Sequence, residues 1–174
     1  GSGFPESGWD VPNPPSASAA TGYRRGARAW HCCHPRRIPV CRRDGERCRD
    51  LVAEALAYGL DPVIDANMMR KEVTINGGRA DIECPVRIEN LGGYPVWFSW
   101  HCRYDIRCIL VETKNTSSPA KHEDVNQLIG YLQGGKRGRF GLIVSRRGFT
   151  SNAWTTLSDT AREQRYLVLP FDTA

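Results

Sequence analysis

Ile106-Arg107-Cys108-Ile109-Leu110-Val111-Glu112-Thr113-Lys114 is the stretch that decides the fold. It is apolar on nearly every position up to Val111, which predicts a strand buried on both faces inside a sheet. The run ends in Glu112 and Lys114. Two apart on one strand, they project from the same face, about 6.6 Å apart along it.

Downstream, Ser118 as N-cap, Pro119 at the first position and early Glu123 and Asp124 predict a helix. Its core stripe is Val125, Leu128, Ile129 and Leu132, and Gly134-Gly135 ends it. Phe140 to Ser145 reads as a second buried strand, followed by a helix from about Ser151 to Arg162 and a last strand from Tyr166 to Leu169.

Upstream, Cys48, Leu51, Val52, Ala55 and Leu56 form one apolar helical stripe, with Asp44 as N-cap and Gly59 as stop. Val63-Ile64 starts a short strand. Glu72 to Ile75 is a stronger one, and Asn76-Gly77-Gly78 turns it into a hairpin with Arg79 to Ile88. On that second strand Ile82, Cys84, Val86 and Ile88 share one face, and Asp81 and Glu83 the other. Pro85 predicts an edge position or a bulge. Residues 89–104, with Gly92-Gly93, Pro95 and the aromatic run Trp97-Phe98-Ser99-Trp100, read as an insertion or a β excursion. The order α-β-β-β-α-β-α-β predicts an α/β domain over residues 44–174, a mixed central sheet flanked by helices in three layers.

Residues 1–22, rich in Pro, Ser, Gly and Ala, read as a flexible arm, and residues 23–43 as a basic segment carrying Cys and His. At 174 residues the chain is long enough for one real core. The formal net charge of +5 suits a polyanionic partner without demanding one. The excess is concentrated: residues 21–49 hold nine arginines against Asp44 and Glu46. Seven cysteines is an odd number, and no N-terminal apolar stretch resembles a signal peptide or a membrane span. A reduced, cytoplasmic protein with free thiols or a metal site is the expectation, with no membrane partner.

Two carboxylates, a lysine and an amide stand in an order that suits phosphodiester hydrolysis, which needs a divalent cation, an activated water and stabilised charge at phosphorus. Mg²⁺ takes hard oxygen ligands, one or two of them carboxylates. Asp105 lies seven positions before Glu112, on the opposite face and about 23 Å away along a continuous strand, so it is excluded as partner. Asp81, from the neighbouring strand, is the partner of choice, with Glu83 an auxiliary ligand. Gln127 and Tyr131, at i and i+4, stack on one helical face beside the core stripe.

Gly78xxAsp81, Glu112-Thr113-Lys114 and Gln127xxxTyr131 together resemble the core of the PD-(D/E)xK nuclease superfamily, the first and last being similar to its RecB-type branch. Asp50 to Glu54 and Gly59-Leu60 resemble the first helix of Holliday junction resolvases. The likeness spans roughly residues 44–170 but rests on about a dozen positions. It implies a restriction endonuclease-like fold and Mg²⁺- or Mn²⁺-dependent cleavage of DNA in restriction, defence or repair. It further implies Asp81 and Glu112 as metal ligands, Lys114 on the water, and Gln127 and Tyr131 in support. Such enzymes work as homodimers or within larger effector complexes. The family often adds a helix-one Glu. Here Glu46, Asp50 and Glu54 compete for that role, and Cys48 stands at the position that aligns best.

Cys32, Cys33, His34 and Cys41 form a candidate zinc set, although their spacing matches no paired CxxC pattern. Arg36, Arg37, Arg42, Arg43, Lys136, Arg137, Arg139, Arg146 and Arg147 are candidate phosphate contacts. Trp97, Phe98 and Trp100 stack on bases or cover the sheet. Two rival readings accompany the nuclease: a nuclease-like fold that binds nucleic acid or protein without catalysis, and a zinc-stabilised interaction module.

Overall fold

In the computed structural model the described residues are 42–134, 136–163 and 165–172. The arm, most of the basic segment and the zinc candidates Cys32, Cys33, His34 and Cys41 lie outside them, as do Arg36 and Arg37.

Five strands form one mixed sheet in sequence order: β1 (Arg70–Ile75), β2 (Gly78–Pro85), β3 (Cys108–Lys114), β4 (Phe140–Ser145) and β5 (Leu167–Asp172). β1, β2 and β3 pair antiparallel, and β3, β4 and β5 pair parallel. Helices α1 (Arg42–Gly59) and α2 (Pro95–Tyr104) cover one face, and α3 (His122–Leu132) and α4 (Ser151–Arg162) the other. The expected three-layer α/β architecture is therefore present, and β3 lies at its centre as its apolar run requires. Ile109 and Val111 fill the core on the α1/α2 side, and Cys108 and Leu110 the core on the α3/α4 side.

The β1–β2 hairpin turns at Asn76 and Gly77, both with positive φ (46° and 78°), as a two-residue primed turn requires. Several local expectations are corrected. β2 is interior, and Pro85 ends it, where a missing N–H costs least. Ile64 makes only an isolated bridge, to Val86. Ile88 opens a 3₁₀ turn to Gly93, and α2 follows, so the segment read as a β excursion is helical. Trp97 and Trp100, three apart and so on one helical face, both pack against Phe140 and cover the sheet. Phe98 is exposed.

The stripe of α1 is rotated from the expected one: Val52, Ala53 and Leu56 face the core, while Leu51 and Ala55 are exposed. α3 begins at His122, four residues after the expected N-cap Ser118. Ala120 is held extended by backbone bonds with Gly148 and Thr150, which delays the helix. Asp124 then accepts the Lys121 N–H at 2.8 Å and closes the first turn. No described helix is long and apolar enough to cross a membrane.

Candidate active site

The β2–β3 ladder runs from Pro85↔Cys108 to Ile82↔Val111 and stops there. The next residues in register are Asp81 and Glu112. Instead of a further backbone pair, the Asp81 carboxylate accepts both the Thr113 N–H (2.8 Å) and the Thr113 hydroxyl (2.6 Å). The side chain takes the place of the ladder and pins the two strands where they part.

The pleat also breaks at this level. Glu72, opposite Asp81 on β1, has φ +56° and is missing from the β1–β2 register, which passes from Lys71↔Ile82 to Val73↔Ala80. Ile82 packs in the α1/α2-side core and Ala80 in the α3/α4-side core, although residues two apart on a regular strand share a face. Asp81 sits at this inversion. Arg49 reaches it from α1, its guanidinium 3.5 Å from Asp81 Oδ1 and 2.9 Å from Glu72 Oε1.

Glu112 is buried, at 6% exposure. Its Oε1 stands 3.0 Å from Lys114 Nζ, and its Oε2 is buried with no hydrogen-bond partner. Burial raises the Glu112 carboxyl above its ordinary range, and the Asp81 charge raises it further, against the pull of Lys114. Lys114 Nζ is shared with Asp124 Oδ1, also at 3.0 Å. Burial alone would lower the lysine, but Glu112 and Asp124 outweigh it and hold the ammonium above its usual value. Asp124 itself, despite burial, is held low by the Lys121 N–H and by Lys114.

Gln127 and Tyr131 meet each other, with Gln127 Nε2 donating to the Tyr131 hydroxyl at 2.5 Å. They do not touch the carboxylates. The hydroxyl also accepts the Arg79 N–H at 3.3 Å, two residues before Asp81. The pair therefore anchors the strand that carries Asp81. Gly78 makes this possible, because a Cβ there would lie 2.5 Å from the Tyr131 ring.

The other sequence candidates separate. Glu83 is buried away from Asp81, 2.7 Å from Arg137 Nε and 2.7 Å from Arg70 Nη2, and it accepts the Cys108 thiol. Among the helix-one acids, Glu46 lines a cavity of about 600 Å³ together with Asp81, Arg49 and Thr113. Asp50 is 2.6 Å from Lys71, and Glu54 is exposed. Cys48 is half-buried; burial raises its thiol first, and the Asp81 charge raises it further.

The basic residues also divide. Lys136, Arg137 and Arg139 precede β4, where Arg137 is held by Glu83 and Arg139 by the Arg103 carbonyl. Arg146 and Arg147 follow β4, at the end of the sheet where Lys114 lies, and the Arg146 N–H bonds the Lys114 carbonyl at 3.1 Å. Arg42 and Arg43 open α1.

Glu72, Asp124 and Asn115 were not singled out from the sequence as parts of the site, and Arg49 was marked only as one of the nine arginines of residues 21–49. Of these, Asp124 carried a readable sign as an acid early in the predicted helix, but its place three residues after the N-cap Lys121 follows from a start that the sequence did not predict. Neither the protein-family models nor the curated proteins contain a match to the chain.

Proposed function

We propose that this chain is a metal-dependent nuclease that hydrolyses phosphodiester bonds in DNA, working in the cytosol in restriction, defence or repair. One observation carries the reading: a buried carboxylate oxygen without a partner, Glu112 Oε2, lies beside a second carboxylate and a half-buried lysine. A buried acceptor left unmade costs about 1–3 kcal/mol, which a ligand recovers.

The donor set fits Mg²⁺ or Mn²⁺. Glu112 and Asp81 supply hard oxygens. Among the described residues no group of three or more His, Cys, Asp or Glu is placed to hold a metal ion, so water and substrate oxygens complete the shell. With Glu112 and Asp81 as its holders, a divalent cation would supply Lewis acidity to a phosphoryl oxygen and to bound water. Lys114, with its amine raised and its two carboxylate partners, acts as a fixed hydrogen-bond donor to the attacking water or the phosphate, not as the base that deprotonates it. Thr113 aims Asp81, and Tyr131 with Gln127 fixes the strand beneath it.

The test uses wild type and Lys114→Ala with linear duplex, single-stranded and closed circular DNA, in Mg²⁺, Mn²⁺ and EDTA. Metal-dependent cutting that is lost in the variant supports the reading, and cutting of the circle makes it an endonuclease. Undiminished turnover in Lys114→Ala overturns it.

A second reading, binding without cleavage, is favoured by Arg49, whose cation already stands beside Asp81. Calorimetry with Mn²⁺ separates the two. Binding that depends on Asp81 and Glu112 supports the nuclease, and absence of binding supports the inactive fold.

A further inference from the structure

The cavity beside Asp81 is lined by Arg49 and Asn115, and each of these residues carries a buried nitrogen donor with no hydrogen-bond partner, Arg49 Nε and Asn115 Nδ2. They come from different elements, α1 and the residue after β3. The Asn115 amide is oriented: Arg146 Nη1 donates to its Oδ1 at 3.4 Å, so the opposite atom is the NH₂ group. Arg49 is likewise fixed, since Glu72 and Asp81 hold its Nη1 and the side chain is only 12% exposed. An unfilled buried donor is costly, and more so when it carries charge. Two of them on residues that line one cavity, one cationic, suit an acceptor-rich anion.

We propose that Arg49 and Asn115 form a seat for a phosphate oxygen of the nucleic-acid backbone. The seat rests on the nuclease reading and extends it to how the substrate is held. Phosphate suits the place because the orphan acceptor on Glu112 and the orphan donors on Arg49 and Asn115 flank Asp81 from different elements, as a cation and a phosphate side by side require. A polymer suits it better than free phosphate. Arg79, 62% exposed, lines the same cavity, and Arg146 and Arg147 extend the positive charge along the end of β4. Arg49 also resolves a conflict at the site: its Nη1 pairs with Asp81 and Glu72, while its Nε is left for the phosphate.

The experiment uses the ¹⁵N-labelled full chain carrying Lys114→Ala, so that DNA stays intact, with Mg²⁺ present. The Arg49 Nε–H and Asn115 side-chain amide signals are assigned from Arg49→Lys and Asn115→Ser. A short duplex oligodeoxynucleotide, a single-stranded one and inorganic phosphate are titrated separately. Both signals should shift and saturate with an oligonucleotide, and inorganic phosphate should move them only at far higher concentration. Arg49→Lys and Asn115→Ser should each weaken oligonucleotide binding roughly tenfold or more, with the dispersed spectrum retained. Oligonucleotide binding that leaves both signals unmoved overturns the seat, as does binding unchanged in both variants. Tighter saturation by inorganic phosphate than by either oligonucleotide overturns its assignment to the backbone. Loss of the seat with Lys114-dependent cleavage intact leaves the nuclease reading standing, and a working seat without cleavage does the reverse.

Discussion

Replacing Gly78 by alanine tests whether the tyrosine of α3 and the hairpin that carries Asp81 are one mechanical unit. A Cβ at position 78 would lie 2.5 Å from Tyr131 Cε1, 2.7 Å from its hydroxyl and 2.9 Å from Cζ. Comfortable carbon contacts begin near 3.5 Å, so the ring must retreat by about 1 Å. Tyr131 is 7% exposed and packs in the α3/α4-side core, with one side bordering a cavity shared with Gly78 and Gln127. Overpacking of this kind costs about 1–3 kcal/mol. The same retreat stretches the 3.3 Å bond from the Arg79 N–H past its useful range, adding about 0.5–1.5 kcal/mol. The expected loss is roughly 2–4 kcal/mol, or a Tm lower by about 5–15 °C for a chain of this size. Urea unfolding of a four-member cycle reads it: wild type, Gly78→Ala, Tyr131→Leu and the double variant. With leucine at 131 the clash disappears, and Gly78→Ala should then cost no more than about 0.5 kcal/mol. An equal cost in both backgrounds would refute the coupling of the two motifs through this contact.

Glu112→Gln should stabilise the metal-free protein at pH 7 by a few degrees in Tm, each kcal/mol being about 2–4 °C. The folded carboxyl is raised, so its contribution to stability is full below the unfolded pKa and is lost as pH rises through the folded one. The gain over wild type should therefore shrink as the pH falls toward the ordinary carboxylate range. Millimolar Mn²⁺ should raise the Tm of wild type and leave that of Glu112→Gln unmoved, because only a bound ligand shifts the transition. Arg137→Ala leaves the buried Glu83 with the exposed Arg70 as its remaining cation and should cost about 1–3 kcal/mol in urea unfolding. Under native conditions a thiol reagent followed by mass spectrometry should label exposed Cys102 and spare Cys84 and Cys108, since burial pushes the Cys84 thiol to about 12 and the Cys108 thiol upward too.

The layers of the fold were legible because they depend on local pattern. The apolar run from Ile106 to Val111 left only an interior strand open to it, and Asn76-Gly77 could hardly be anything but a tight hairpin turn. Glu112 and Lys114 followed from the period of a strand, and their contact at 3.0 Å agrees with it. Asp81 was chosen for reach alone, by a period-2 argument that placed it with Glu83. That argument fails at a pleat inversion, and no residue type announced one: a glutamate with positive φ is the only mark, and it is a tertiary effect. The 89–104 segment was misread for a related reason. Its glycines and proline look like turn residues, and the helical spacing of Trp97 and Trp100 has meaning only once Phe140 lies beneath them. Arg49 was visible only as one of nine arginines in a basic run, and Asn115 not at all, because an unpartnered donor is a property of surroundings, not of sequence.

The balance of charge at the parting of β2 and β3 shows why these surroundings matter. Burial and the neighbouring Asp81 charge make Glu112 costly to ionise, and the chain sets a cation beside each carboxylate, Arg49 from α1 for Asp81 and Lys114 for Glu112. Neither answer is complete: Glu112 keeps a bare oxygen, and Arg49 keeps a bare donor. A structure built only for stability would close both gaps with each other or replace them with apolar contacts, since buried polar groups are tolerated only when satisfied. Here Arg49 is turned to Asp81 and Glu72 while Glu112 is turned to Lys114, so the bare donor and the bare acceptor are held by different partners. A cation and a phosphate entering together would satisfy both, whereas either one alone would leave the other unmatched. On this reading metal affinity and substrate affinity are linked, each raising the other, and by linkage the two factors must be equal.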